Sequence, residues 1–175
     1  MYTSTTRPHI ESREAAAHSV CRDRLEGYLR EHRVAYELEQ HSQAFTAQQV
    51  AAAEHVSGKR FAKVVIVLAG GRPAMLVLAA SGRVDLARAA QLLGDPQIRL
   101  AREDEFIGTF PDCEPGAMPP FGHLYGLPVL IDRSLTHEAF IYFQAGSHAE
   151  TMVLRYMDYA RLARPIVGDF AGGSD

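Results

Sequence analysis

Several common signals are missing from this chain of 175 residues. No apolar run approaches the ~18 residues that a membrane-spanning helix requires, and the polar start at 1–14 lacks the apolar centre of a secretory signal. We therefore expect no membrane partner and a cytoplasmic location. Only two cysteines occur, Cys21 and Cys113. Their wide spacing and the absence of a CxxC pair predict no disulfide framework, which fits a reducing cytosol.

Motifs for several chemistries are also absent. There is neither a GxGxxG motif nor a GxxxxGK motif followed by Ser or Thr, so no phosphate cradle and no nucleotide cofactor are predicted. None of the eight histidines shows HExxH spacing, and GxSxG does not occur, so we expect no metal site. A thiol nucleophile at Cys113 with His123 as its base is disfavoured, because Asp112 and Glu114 would raise the pKa of the thiol.

Lysine is scarce among the basic residues. Of 18 cations only Lys59 and Lys63 are lysines. The net charge of -3 argues against a protein that coats nucleic acid by bulk electrostatics, but it allows a local basic patch that contacts the end of a strand. With 47% hydrophobic and 22% charged residues, the composition is that of an ordinary globular protein, and the length predicts one domain.

The apolar pattern predicts about six strands and four or five helices. A capping box at Thr46–Gln49 begins one helix, and Asp85 and Gly94 bracket another at Leu86–Leu93. Asp158 is predicted to cap the last helix. Six strands are predicted at 34–38, 61–69, 74–80, 127–131, 139–143 and 150–155, with 97–100 as a further candidate, and the first helix is predicted at 11–32.

Hairpins rather than strict βαβ alternation indicate the fold class. We predict a single α/β domain with a mixed, largely antiparallel sheet flanked by helices. The domain is expected at 21–166, with 1–20 as an N-terminal tail and the start of the first helix, and 167–175 as a C-terminal tail.

Three features are candidates for a functional site. Lys63 lies early in an apolar strand, where it either extends to water or presents a cation to a phosphate or a developing oxyanion. The segment Gly116–Gly122 is either a surface loop or, because glycines let backbone N–H groups face a ligand, part of an oxyanion hole. His148 follows a turn and is either structural or catalytic.

At these places the sequence resembles the YbaK/prolyl-tRNA-synthetase editing-domain family. Gly116-x-x-x-Pro120-Phe121-Gly122 matches the family's GxxxPFG loop in full. The strand with Lys63 matches too, although Val64 replaces the small polar residue that often follows the lysine. Further likeness, in the same order, comes from Arg83-Val84-Asp85-Leu86 and Gly146-Ser147-His148, and the resemblance runs from about Leu25 to Pro165.

The resemblance implies an aminoacyl-tRNA deacylase that acts in trans on a small amino acid esterified to the terminal ribose. It implies the acceptor end of tRNA as partner and an aminoacyl-tRNA synthetase as a second candidate partner. The implied catalytic residues are Lys63, Gly116 and His148. The implied substrate-binding residues are Phe45, Thr46, Met118, Pro120, Phe121, Gly122, Lys59 and Arg60.

Two alternatives stay open at this point. The chain could be a non-catalytic relative that binds tRNA or a synthetase, which the Val64 departure and the negative charge favour. It could also hydrolyse a small ester that is not attached to tRNA.

Overall fold

The structure of the protein is a computed structural model that describes residues 11–41, 51 and 56–172. Within these residues four α-helices are found: α1 (Glu11–Glu31), α2 (Leu86–Leu93), α3 (Glu103–Phe106) and α4 (Tyr156–Ala163). The strands are β1 (Tyr36–Gln40), β2 (Ala62–Ala69), β3 (Arg72–Ala79), β4 (Arg83–Val84), β5 (Ile98–Leu100), β6 (Val129–Asp132), β7 (Phe140–Gln144), β8 (Glu150–Arg155), β9 (Ile166–Gly168) and β10 (Ala171–Gly172). The helix predicted from Thr46 lies outside the described residues.

The strands form three sheets. The largest has the order β5-β2-β3-β6-β9, in which β2 pairs antiparallel with β3 and β5, whereas β6 pairs parallel with β3 and β9. A second, antiparallel sheet has the order β1-β8-β7, and β4 pairs with β10. A single bridge from Phe61 to Tyr142 joins the two larger sheets. The predicted mixed α/β fold is confirmed, and the described part of the chain contains ten strands where about six were predicted.

The side chains of β2 alternate between two apolar clusters, as a pleated strand requires. Ala62 and Ile66 belong to the first cluster, which is built around Phe121 and also receives side chains from α1, β7, β8 and α4. Val67, one position further on, belongs to the second cluster, which lies against α2 and Phe170. The large sheet therefore has both faces covered by apolar packing.

Local signals set the ends of α2 as predicted. The Asp85 carboxylate accepts a hydrogen bond from the Arg88 backbone N–H at 3.1 Å, and Gly94 adopts a left-handed φ of 68°. The prediction for α4 was wrong in its start: this helix begins at Tyr156, so Asp158 lies in its first turn. The Tyr156 N–H donates to Ala139 O at 3.0 Å. Because this contact joins residues far apart in the sequence, the local pattern around Asp158 could not predict where the helix begins.

Asp132 anchors the end of the chain. Its carboxylate accepts hydrogen bonds from the backbone and hydroxyl of Ser134 and from the N–H groups of Phe170 and Ala171, at 2.6–3.0 Å. Through these bonds and through β9 and β10, residues 167–172 of the predicted C-terminal tail are attached to the sheets. Phe170 is fully buried in the second cluster.

We expect Asp132→Asn to destabilise the protein by about 3 kcal/mol at pH 7, since an amide nitrogen would face backbone donors. Burial raises the pKa of Asp132, but the hydrogen bonds from Ser134, Ala171 and Phe170 outweigh it and leave the pKa lowered. Its stabilisation is therefore present above the unfolded value of about 4 and is lost as the pH falls through the folded value. Urea unfolding of both proteins from pH 7 to pH 3 measures this.

The matched control is Asp169→Asn, which removes an exposed carboxylate paired with Arg133. This variant should follow the parent at every pH. A difference between parent and Asp132→Asn that stays constant from pH 7 to pH 3 would contradict the assigned role.

The two cysteines are joined, contrary to the prediction. Cys21 in α1 and Cys113 form a disulfide across 92 positions of sequence, with Cα atoms 5.2 Å apart. The spacing of the two cysteines in the sequence does not predict this proximity. It arises because α1 packs beside the loop that follows Phe110. Disulfides persist mainly in oxidising compartments, so cysteine spacing no longer argues for a reducing one.

Reduction of this disulfide is expected to lower the midpoint of thermal unfolding by roughly 10 °C. In the chain-entropy model a closed loop of this length stabilises the folded state by ~4–5 kcal/mol, and for a chain of this size each kcal/mol corresponds to ~2–4 °C. Calorimetry with and without dithiothreitol tests it. Cys21→Ser should melt like the reduced parent and should not respond to reductant. An identical midpoint for the parent under both conditions would show that the bond is absent in solution.

Candidate active site at the Gly116 loop

The loop between Phe110 and Gly122 has an exposed tip and a buried return. Gly116 stands at the tip with a φ of +83°, a conformation that side chains beyond glycine rarely adopt. The tandem prolines at 119–120 supply no N–H groups and fix the backbone of the return. The Gly116 N–H donates to Met118 Sδ at 3.2 Å. Because a thioether sulfur is a weak acceptor, a ligand oxygen at this exposed tip can replace it.

His148 lies directly against this tip. A Cβ added at Gly116 would meet His148 Cε1 at 3.6 Å. His148 Nε2 donates to Pro115 O at 2.9 Å; because a carbonyl only accepts, this nitrogen carries the proton. Nδ1 then accepts from the Gln144 amide at 3.1 Å. Both ring nitrogens are engaged, so the imidazole fixes the loop and is not placed as a general base.

Backbone hydrogen bonds reinforce this contact. Glu114 N–H donates to Gly146 O, and Gly146 N–H donates to Ala117 O, both at 2.9 Å. The Glu114 carboxylate in turn accepts from the His148 backbone N–H. The loop and the turn at 146–148 are thus held together on both sides of Gly116.

Helix α1 supports the same turn from the other side. Gly146 has a φ of +100°, and a Cβ there would lie 2.5 Å from Cys21 Sγ, so only glycine fits. Arg22 pairs with Glu150 at 2.6 Å, and the Ser147 hydroxyl donates to the same carboxylate at 3.1 Å. The disulfide to Cys113 completes the attachment of α1 to the loop.

Lys63 is directed elsewhere. Its ammonium donates to Gly82 O and Ala80 O, at 2.5 Å and 3.2 Å. By strand alternation it shares the face of Val65 and Val67, opposite the first cluster in which Met118 and Phe121 pack. Burial, and then the nearby Arg83 charge, lower the pKa of the Lys63 ammonium. The structure brings Gly116 and His148 together and holds Lys63 at the turn after β3.

The rest of the GxxxPFG loop is a support for the tip. Met118 and Phe121 are buried in the first cluster, and Tyr159 Oη donates to Pro120 O at 3.0 Å. A Cβ at Gly122 would come within 3.0 Å of Val129 and 3.2 Å of Met75, so this glycine permits close packing on the sheet. These side chains can back a pocket, but they do not line an open one.

The remaining predicted residues lie apart from the loop or outside the described part. Lys59 and Arg60 are exposed, and Arg60 pairs with Glu138 at 3.1 Å. Phe45 and Thr46 lie outside the described residues.

Glu114 and Gln144 are parts of the site that the sequence pattern did not predict. Glu114 stands two positions before Gly116, next to the loop motif. Gln144 follows directly on the apolar run 139–143, and a polar residue that ends such a strand was the available signal.

Among the described residues one group of three possible metal ligands occurs: Cys21, Asp112 and Cys113. Its two sulfur atoms are bonded to each other, so neither thiolate is available to a metal. No helix in the described part of the chain is long and apolar enough to cross a membrane.

The fold and the loop together define a single-domain mixed α/β protein that exposes one glycine peptide beside a fixed histidine. The model of the aminoacyl-tRNA editing domain matches residues 41–162. The chain therefore belongs to the aminoacyl-tRNA editing-domain family, as the resemblance of its loop predicted.

The curated relatives include the multifunctional Ser/Thr-tRNA deacylase ProXp-y of Escherichia coli, from strains K12 and O157:H7. Each is 33% identical over 98 residues, which is 55% of this chain and 58% of the relative. The match thus spans little more than half the length of these relatives.

Solved structures share the fold. A hypothetical protein has a TM-score of 0.77 at 21% identity, covering 85% of this chain and 99% of its own. A protein provisionally described as a trans-editing enzyme for prolyl-tRNA synthetase has a TM-score of 0.73 at 20% identity, covering 87% and 98%. At these identities the likeness concerns the fold alone.

Proposed function

We propose that this protein hydrolyses the ester between a small amino acid and the terminal ribose of a mischarged tRNA, in the cytoplasm. The observation that carries the proposal is the exposed Gly116 peptide, held by His148 and by the backbone bonds of Glu114 and Gly146. A rigid, exposed peptide at a glycine tip suits the binding of an ester carbonyl whose oxygen becomes negative during hydrolysis. The family and the relatives' names support tRNA as the carrier of that ester.

The chemistry needs no covalent nucleophile. An aminoacyl ester is already activated, so a positioned water and stabilisation of the oxyanion are sufficient. Cys113 is bonded to Cys21, and both nitrogens of His148 are engaged. The substrate's own ribose hydroxyl is therefore our candidate for activating the water, with His148 and Gly116 as positioning elements.

Lys63 supplies the positive charge in this proposal. An ammonium has three donors, of which two serve Ala80 and Gly82, so one remains for a phosphate oxygen of the terminal nucleotide. The ester carbonyl is assigned to the Gly116 tip and not to Lys63, since Lys63 is directed to the other face of the sheet. The biological need is a second sieve, since a synthetase pocket rejects a slightly different small side chain by only ~1–3 kcal/mol. A synthetase as partner remains a further proposal.

The test is a panel of mischarged tRNAs incubated with the purified protein, with release of the amino acid as the readout. Seryl- and threonyl-tRNA come first because of the relatives' printed activity, followed by alanyl-, cysteinyl- and prolyl-tRNA. Binding of tRNA without any release would identify a non-catalytic relative. Hydrolysis of a small amino-acid ester that intact tRNA does not inhibit would identify an esterase. Either result overturns the proposal.

A further inference from the structure

The C-terminal ends of α1 and α4 meet at a cavity of about 410 Å³. Its lining residues are Tyr28, His32 and His123, and the end of α4 at 161–164. Arg161 and Arg164 are both exposed and contribute two permanent positive charges. The cavity belongs to a different part of the surface from the Gly116 tip, but His123 directly follows Gly122 and so links it to the same loop.

The charge of this cavity distinguishes it from three others in the described part of the chain. Each of the others includes at least one carboxylate, whereas this one includes none. The carboxylates are Asp95 in a cavity of about 530 Å³, Glu37 in one of about 290 Å³, and Asp132 and Glu138 in one of about 310 Å³. In a chain of net charge -3, a concave surface lined by arginine and histidine without a carboxylate favours an anionic ligand.

The hydrogen bonds around the cavity leave donors for such a ligand. Arg161 pairs with Asp158 at 3.2 Å, an exposed contact that water and salt weaken, so a phosphate can replace the carboxylate. His123 Nε2 lies 3.1 Å from Tyr28 Oη, while its Nδ1 is buried and has no hydrogen-bond partner among the described residues. The exposed guanidinium forks of Arg161 and Arg164 match the oxygens of a phosphate.

We propose that this cavity binds a backbone phosphate of the tRNA acceptor stem, through Arg161 and Arg164 with His32 and His123 beside them. The inference rests on the proposed function for the identity of the ligand. Seven residue steps from Gly116 to His123 span at most ~25 Å, so the cavity lies within a few nucleotides of an ester bound at the tip. The contact is independent of base sequence, because phosphate contacts position a nucleic acid and do not read it.

The test compares the parent with the double variant Arg161→Gln/Arg164→Gln. Binding of uncharged tRNA is measured by fluorescence anisotropy at several salt concentrations, so it does not depend on catalysis. We expect the double variant to bind tRNA about tenfold more weakly than the parent. The slope of log K against the logarithm of the salt concentration should be smaller in magnitude by about one to two. The control is Arg102→Gln/Arg133→Gln, which removes two exposed, ion-paired arginines elsewhere and should bind tRNA like the parent.

Steady-state deacylation adds a second readout. For full-length tRNA the double variant should show a raised KM with unchanged kcat, and for a three-nucleotide aminoacylated fragment it should equal the parent. Equal tRNA binding by parent and variant, or equal losses on tRNA and fragment, would overturn the inference while leaving the deacylase proposal intact. Both proteins are also titrated with inorganic phosphate. If the double variant loses phosphate binding but binds tRNA like the parent, the cavity is a small-anion site and the inference is overturned as well. Failure of the parent to deacylate, with the binding difference present, would overturn only the proposed function.

Discussion

Replacing Lys63 by alanine is expected to lower the rate of deacylation by ~10²–10³ while the protein stays folded. Removal of one well-placed electrostatic contact to the substrate typically has an effect of this size. Lys63 is one of two lysines among 18 cations, and burial with the neighbouring Arg83 lowers the pKa of its ammonium. A compact charge kept partly away from water interacts more strongly with a ligand oxygen than an exposed one does.

Lys63→Arg should be impaired almost as severely, because the planar guanidinium is larger and aims its donors differently. The matched control is Arg102→Ala, which removes an exposed cation paired with Asp104 and should deacylate at nearly the parent rate. Single-turnover rates on the best mischarged tRNA measure all three.

The bonds from Lys63 to Ala80 and Gly82 provide a competing, purely structural role. If the lysine only holds the turn after β3, both Lys63 variants will lose about 1–2 kcal/mol of stability but will deacylate at nearly the parent rate. Thermal melts recorded beside the kinetics separate the two roles. A normal rate in Lys63→Ala would remove this residue from the mechanism.

Gly116→Ala is expected to lower the rate by about 10². The φ of +83° is strained for alanine by ~1–2 kcal/mol, and the new methyl group would stand 3.6 Å from His148 Cε1. The peptide at the tip would turn away from the position in which it meets the ester carbonyl, and loss of one such donor costs ~10²–10³ in rate. Rates measured at saturating tRNA test this.

Gly71→Ala is the control for backbone strain. This glycine lies at the β2–β3 turn with a φ of +76° and nothing within 4 Å of an added Cβ, so its cost in stability should be similar. The comparison isolates the effect of position from the effect of strain. Equal rates for the two variants would show that the Gly116 tip has no part in the reaction.

Features that depend on neighbouring residues could be predicted from the sequence. The α2 helix between Asp85 and Gly94, and the hairpin of β2 and β3, each contain their own start and stop signals. The GxxxPFG loop identified the family because it is a compact motif. The positive φ at the tip requires the glycine at position 116, whereas the burial of Met118 and Phe121 in the core was not predicted.

Features that depend on the path of the whole chain could not be predicted. The proximity of Cys21 to Cys113 requires α1 to pack beside a loop more than 90 residues later. The direction of the Lys63 side chain depends on where the turn at 80–82 places its carbonyls. The short strands β9 and β10 contain too few residues for a periodic pattern, and their place is set by pairing with β6 and β4.

The disulfide also changes how a chain cleaved by a protease migrates on a gel. Because Cys21 and Cys113 close a covalent ring, a protease that cuts one peptide bond between them leaves both pieces in one molecule. Such a molecule would migrate as full-length protein on a denaturing gel without reductant and would separate into two bands with it. Limited proteolysis of the oxidised protein therefore has to be analysed on gels with and without reductant. On the gel without reductant alone, a cleaved chain held together by the disulfide would be mistaken for a folded, resistant one.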